Sequence, residues 1–199
     1  MEYVLLQFID MPYLSITIDN VLKVEQEFYD TLQTYWRTHN YLSLRWWFLV
    51  ALTLLPPLVW WKFVDKKRVI EITSFGLFYG VAATFLDSIG SNAMVWTYIV
   101  RLSPYINPQM YPYNVGIVII PFMLVYQKWG YNLKSFFISA GFLSAFTAFI
   151  GEPLMEWLLI YKEITWKNIY SFPIYWLLGI IVWCIITYFK KLEQEELKR

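Results

Sequence analysis

This chain of 199 residues has one cysteine, one histidine and few charges, and each scarcity removes a class of chemistry. A single Cys184 excludes an internal disulfide, and a single His39 excludes any multi-histidine metal centre. No phosphate-cradling glycine loop, Ser/His/Asp set or cluster of metal-ligand residues stands out, so the sequence implies no cofactor and no metal. Charged residues make up only 16% of the chain, where an ordinary soluble domain carries roughly 25%. The net charge of +1 gives no sign of a nucleic-acid partner.

What the chain has instead is apolar and aromatic surface. Hydrophobic residues reach 58% and aromatic residues 21%, with eleven Trp, sixteen Tyr and fifteen Phe. Such rings collect at membrane–water interfaces, where one edge meets hydrocarbon and the other meets water. Five stretches approach the roughly 20 apolar residues that span a bilayer: Leu44–Trp61, Val69–Ile89, Tyr111–Gln127, Ser135–Tyr161 and Phe172–Phe189. The fourth is over-long, which points to tilt or to an end projecting into the interface. The expected fold is therefore all-α, a polytopic transmembrane bundle of about five spanning helices.

An amphipathic helix is expected ahead of the bundle. Val21, Val24, Phe28, Leu32, Tyr35 and Trp36 recur at helical spacing, with Glu25, Gln26, Asp30 and Gln33 between them. That pattern fits a helix lying on the membrane surface or capping the bundle. The first eighteen residues are apolar but lack a basic start and contain Glu2, Asp10 and Pro12, so they do not read as a cleavable signal peptide. The stretch Ser91–Asn114 holds Trp96, Tyr98, Pro104, Tyr105, Pro108, Tyr111 and Pro112, and reads as an interfacial or re-entrant loop. The organisation is then an interfacial segment over 1–43, a transmembrane domain over 44–190 and a charged tail over 191–199.

Basic residues indicate orientation. Lys62, Lys66, Lys67 and Arg68 crowd the first connection, Lys128 and Lys134 the third, and Lys190 and Lys191 close the last helix. Arg101, Lys162 and Lys167 mark the other side more sparsely. Lys/Arg clusters are retained in the cytoplasm, so the N-terminus is expected outside and the C-terminus inside. Two other polar positions have ordinary readings. Glu71, one turn after Lys67, fits a surface ion pair, and Gln127 fits a polar anchor at a helix end. Pro56 and Pro57 remove backbone donors and are expected to kink the first span.

Three carboxylates, Asp87, Glu152 and Glu156, lie at expected bilayer depth, where an ionisable side chain costs at least a few kcal/mol and needs a reason. Reading back from Asp87 gives Ala83, Gly80 and Gly76; reading back from Glu152 gives Ala148, Ala145 and Gly141. Both series trace one helical stripe of small residues, on which helices approach closely in lipid. Glu156 follows Glu152 by one turn, within roughly 6 Å at Cβ. A shift of 65 residues (152 minus 87, and 121 minus 56) superposes Asp87 on Glu152 and Pro56 on Pro121. The match reads either as a decayed repeat of helix pairs, common in transport folds, or as chance in Gly/Ala-rich helices. The acids either hydrogen-bond neighbouring helices through groups such as Asn92, Ser88, Tyr98, Tyr161 or Arg101, or converge on an outward-half polar pocket. Candidate pocket residues are Asp87, Glu152, Glu156, Asn92, Trp96, Trp157 and Tyr161.

Several motifs carry a resemblance. Trp46-Trp47, Pro57, Trp60-Trp61-Lys62, Val64-Asp65-Lys66-Lys67-Arg68 and Glu71 resemble the opening of a family of small, aromatic-rich integral membrane proteins of spore-forming Gram-positive bacteria. Asp87-Ser88-Ile89-Gly90, Pro121, Tyr126-Gln127, Glu152-Pro153-Leu154, Trp157, Ile160-Tyr161 and Ser171-Phe172-Pro173-Ile174-Tyr175 extend it over most of the chain after residue 40. The resemblance implies a bacterial plasma-membrane location and brings no activity with it. The layout is also remotely similar to the lycopene cyclase domain, in which an acid ends one helix, an aromatic loop follows, and a proline opens the next helix just before paired glutamates. Asp87, Trp96, Tyr98 and Pro112 follow that layout, but Tyr113 and Asn114 stand where the glutamates belong, which tells against the cyclase reaction.

Three functions compete on the sequence. One is binding or moving a small amphiphile, such as a lipid, an isoprenoid or a quinone-like molecule, in a pocket of aromatic walls and few polar groups. Another is an acid–base membrane enzyme acting through Asp87, Glu152 or Glu156 on a lipid-soluble substrate. The last is a structural or accessory subunit. Membrane lipids are the expected surroundings in each case, and the oligomeric state stays open.

Overall fold

The computed structural model describes residues 16–106 and 110–198. The signal-peptide reading of the N-terminus and the place of Pro108 fall outside these residues. Among the described residues, four helices are long and apolar enough to cross a membrane: Leu44–Phe63, Lys66–Asn92, Leu133–Trp157 and Asn168–Glu196. A shorter apolar helix, Asn114–Trp129, stands where the third span is expected. The chain is an all-α bundle of the multi-pass membrane type.

Helix α1 (Ile18–Tyr35) runs into a π-turn at Trp36–Asn40. Most of it is exposed, Ile18 at 68% and Val24 at 64%, and among the described residues its ties to the bundle lie near its C-terminal end. There the Trp36 indole donates to the Arg101 carbonyl at 2.8 Å, and the Asn40 side chain bridges the Arg101 amide and the Ile99 carbonyl. It caps one end of the bundle.

Proline placement explains the irregular helices. In α2 (Leu44–Phe63), Pro56 has no N–H for the Leu52 carbonyl one turn earlier. That oxygen lies against Gly116 so closely that a Cβ there would sit 2.6 Å from it. The shorter apolar helix, hereafter the fifth helix beside the four long spans, is built in pieces and led in by α4 (Met110–Tyr113): a π-segment at Asn114–Ile119 and then α5 (Ile120–Trp129). The next span repeats the device, with α6 (Leu133–Phe146), a π-segment at Thr147–Gly151 and α7 (Glu152–Trp157). Each π-segment ends just before a proline, Pro121 or Pro153. The amides of Ile120 and Glu152 bond five residues back, to Val115 and Thr147. A proline ring clashes with the carbonyl four residues earlier, and the wider π-turn relieves that clash.

The extra residue in the π-turn corrects the stripe expected behind Glu152. The fully buried line there is Ala148, Ser144, Ala140 and Phe136, whereas Ala145 and Gly141 are only half-buried. Gly141 nonetheless meets the Trp176 indole of α8 (Asn168–Glu196). The stripe behind Asp87 on α3 (Val69–Asn92) is regular, and Gly76, Gly80 and Ala83 are all buried. Gly76 packs on Met123 and Gly80 on Ile119, so α3 and the fifth helix are in close contact. Around them the core is aromatic: Phe75 stacks on Tyr126 at 4.3 Å and Tyr79 on Phe122 at 4.6 Å.

Two further expectations change. The fourth span stops at Trp157 rather than at Tyr161. Leu159 turns left-handed (φ 55°), and the chain enters strand β2 (Tyr161–Glu163), which pairs antiparallel with β1 (Trp96–Tyr98). The apolar run Leu158–Tyr161 fits a helix or a strand equally well by composition, so length alone misplaced the end. Glu71 is also no simple surface partner of Lys67. It binds Arg68 at 2.9 Å, Lys190 at 2.9 Å and the Tyr126 hydroxyl at 2.7 Å, tying α3, α5 and α8 together at the basic end. Gln127 joins the same end by accepting from the Asp65 amide and donating to the Phe63 carbonyl. Helix α8 continues unbroken through the charged residues to Glu196.

Candidate functional site

At the opposite end of the bundle the β1–β2 ribbon folds over a cavity of about 90 Å³. The volume is several times what one buried water needs. Its wall draws on α2, α3, the ribbon, the fifth helix, α7 and α8.

Asp87 forms one side. It accepts from the Trp96 indole at 2.9 Å, from the Tyr98 hydroxyl at 2.8 and 2.9 Å, and from the Asn114 amide at 3.5 Å. Gly90 makes this possible, because a Cβ there would overlap the six-membered ring of Trp96. The ribbon is anchored by the Val95 carbonyl, which accepts from the amides of Ile164 and Thr165 at 3.0 Å and of Trp166 at 3.3 Å. Trp166 meets Trp96 edge-to-face at 5.1 Å and donates to the Ser171 hydroxyl at 2.8 Å.

Glu152 forms the other side, just past the second π-segment. It accepts from the Tyr175 hydroxyl at 2.7 Å and, at 3.4 Å, from Asn168. Tyr113 and Tyr161 also line the cavity. The Tyr113 hydroxyl is buried and finds no hydrogen-bond partner among the described residues. Burial raises the Tyr161 phenol above its ordinary value, and the nearby charges of Glu152, Glu163, Asp87 and Glu156 add to the rise. Tyr98 is raised for like reasons, burial first and Asp87 next.

Of the residues singled out in the sequence, Asp87, Glu152, Trp96 and Tyr161 share this cavity. Glu156, Asn92 and Trp157 lie off its wall. Glu156 sits a turn nearer the end of α7, where Met155 and Ile160 line the cavity instead, and Trp157 is 77% exposed. Asn92 is exposed at the last turn of α3. Sequence reasoning missed Tyr113, Trp166, Ser171 and Tyr175 as wall residues. A signal for the α8 face was there: Ser171, Ile174, Tyr175 and Leu178 follow a helical stripe with two polar members inside an apolar span.

Arg101, expected as a partner for the acids, pairs with none among the described residues. Its Nε donates to the Tyr98 carbonyl at 3.3 Å, its Nη1 is buried without a partner among the described residues, and burial lowers its proton affinity. Among the described residues no cluster of three or more His, Cys, Asp or Glu is placed to hold a metal ion. The chain matches no protein family profile, no curated protein and no solved structure.

Proposed function

We propose that this multi-pass membrane protein binds or moves a small amphiphile, such as a lipid, isoprenoid or quinone-like molecule, in the cavity between Asp87 and Glu152. The observation that carries the reading is the wall itself: apolar and aromatic side chains around a few convergent polar groups, one of which, the Tyr113 hydroxyl, has no hydrogen-bond partner among the described residues. Small-molecule sites have this composition, and an orphaned buried hydroxyl is satisfied when a ligand supplies its partner. Organic extraction of the purified protein, followed by mass spectrometry, tests it. An apolar compound enriched to about one per chain over the bulk lipid is expected; extracts that match the bulk lipid count against the reading.

The location belongs to the same proposal. The Trp60-Trp61-Lys62 and Glu152-Pro153-Leu154 motifs support membership of the aromatic-rich bacterial membrane family, and hence the bacterial plasma membrane. The end at which Glu71 gathers Arg68 and Lys190 faces the cytoplasm under the positive-inside rule, which turns the cavity outward. In a Cys184→Ala background, an impermeant thiol reagent applied to intact cells should label a cysteine at Asn168 and spare one at Lys66. The reverse pattern would invert the topology.

A further inference from the structure

The cavity wall carries two carboxylates, Asp87 and Glu152, and no lysine, arginine or histidine among the described residues. An acidic headgroup would meet two further carboxyl groups there and no cation to pair with in a low-dielectric site. Fatty acids and phosphate-bearing lipids are therefore the wrong chemistry. A neutral polar group and a cation remain, and three features separate them.

Six aromatic side chains line the space: Trp96, Tyr98, Tyr113, Tyr161, Trp166 and Tyr175. Aromatic rings attract a cation through their quadrupole, more strongly when water is excluded. The two acids also differ in what they have left to offer. Asp87 is engaged by Trp96, Tyr98 and, more distantly, Asn114. Glu152 holds one short bond from Tyr175 at 2.7 Å and a long one from Asn168 at 3.4 Å, with the Ser171 hydroxyl also beside it, and a carboxylate with these neighbours still has lone-pair capacity. Beside them, the Tyr113 oxygen has no hydrogen-bond partner among the described residues. The Glu152 carboxylate only accepts and the Tyr113 oxygen can accept while its own proton turns aside, so a headgroup of several N–H donors serves both.

We propose that the occupant carries a protonated amine: a lipophilic ammonium whose N–H groups bond Glu152 and Tyr113 within the aromatic wall. Its chain lies against Leu49, Met155, Ile160 and Leu178. The inference rests on the cavity being an amphiphile site, and it narrows that reading to one headgroup class.

A matched set of probes tests it: octylamine, octanol and octanoate, added to the full-length protein in dodecyl maltoside at pH 7. At that pH an alkylamine is protonated. Affinity is read from the shift in thermal unfolding midpoint with probe concentration. Octylamine should bind at least about tenfold more tightly than octanol, with octanoate weakest, and Glu152→Gln should erase the preference. Octanol or octanoate binding as well as octylamine overturns the ammonium assignment and leaves the amphiphile reading standing. Binding of none of the three overturns both. Because the comparison among probes is made on the wild-type protein, it holds even if Glu152→Gln fails to fold.

Discussion

The Tyr98 hydroxyl donates to both oxygens of Asp87, at 2.8 and 2.9 Å, from a strand that belongs to no spanning helix. One phenol thus fastens the ribbon to α3 and supplies a donor to a carboxylate at membrane depth. Tyr98→Phe keeps the ring and removes the donor, and should cost about 1.5–3 kcal/mol, the range for a hydrogen bond to a charged group. Thermal unfolding in detergent measures it. A double-mutant cycle with Asp87→Asn should return a coupling of at least about 1 kcal/mol. Additive effects would mean that the bond contributes nothing.

Gly116 lies under the Leu52 carbonyl that Pro56 leaves without its helical donor. A Cβ there would stand 2.6 Å from backbone oxygen, which has no rotamer to swing aside. Gly116→Ala should therefore destabilise the fold by about 1–3 kcal/mol, as overpacking does. Gly151→Ala, whose Cβ would meet nothing closer than the Tyr113 hydroxyl at 3.5 Å, should be far milder in the same unfolding assay. Equal effects would contradict the close approach of α2 to the first π-segment.

At the basic end, Glu71 accepts from Arg68, Lys190 and Tyr126 at once. Its replacement by Ala leaves two cations and a phenol without their acceptor. Both cations keep partial contact with solvent, so the expected cost is about 1–2 kcal/mol rather than the larger penalty of a fully buried pair. Lys67→Ala, the pairing expected from the sequence, should change stability by less than about 0.5 kcal/mol. Urea or SDS titration of the two variants separates the alternatives.

Glu163 carries a pH signature. Burial raises its carboxyl above the ordinary value, with the neighbouring Glu156 charge adding to it, and its Oε1 has no hydrogen-bond partner among the described residues. The folded state then holds the proton more tightly than the unfolded chain. This contribution to stability is fully present below the unfolded value of about 4.3 and is lost as pH rises through the higher folded value. Glu163→Gln should raise the unfolding midpoint at pH 7 relative to wild type and lose that advantage near pH 4. An advantage that grows toward acid pH would contradict the assignment.

The spans were legible because hydrophobic length is a strong signal, and so was the burial of Gly76, Gly80 and Ala83 behind Asp87, which follows from a regular 3.6-residue period. The line behind Glu152 was misread at Ala145 because a π-turn adds a residue that periodicity does not announce; Pro153 was the available clue. The β-ribbon was hidden for a different reason. Strands of three residues, Trp96–Tyr98 and Tyr161–Glu163, are too short to show alternation, and the second was absorbed into an apolar helix. Two of the three acids share the cavity. Glu156 falls outside it because i, i+4 spacing sets a face but not how far along that face the cavity extends.

The measurement that bears most directly on the cavity as a binding site is native mass spectrometry of the wild type beside Ile174→Trp, both released gently from detergent. Ile174 lies on the cavity wall from a partly exposed position on α8, so a Trp there fills the space with little disturbance of the buried core. A one-to-one small-molecule adduct is expected on the wild type, and its loss from Ile174→Trp with the unfolding midpoint retained. An adduct held equally by both proteins would place the ligand elsewhere and contradict the account.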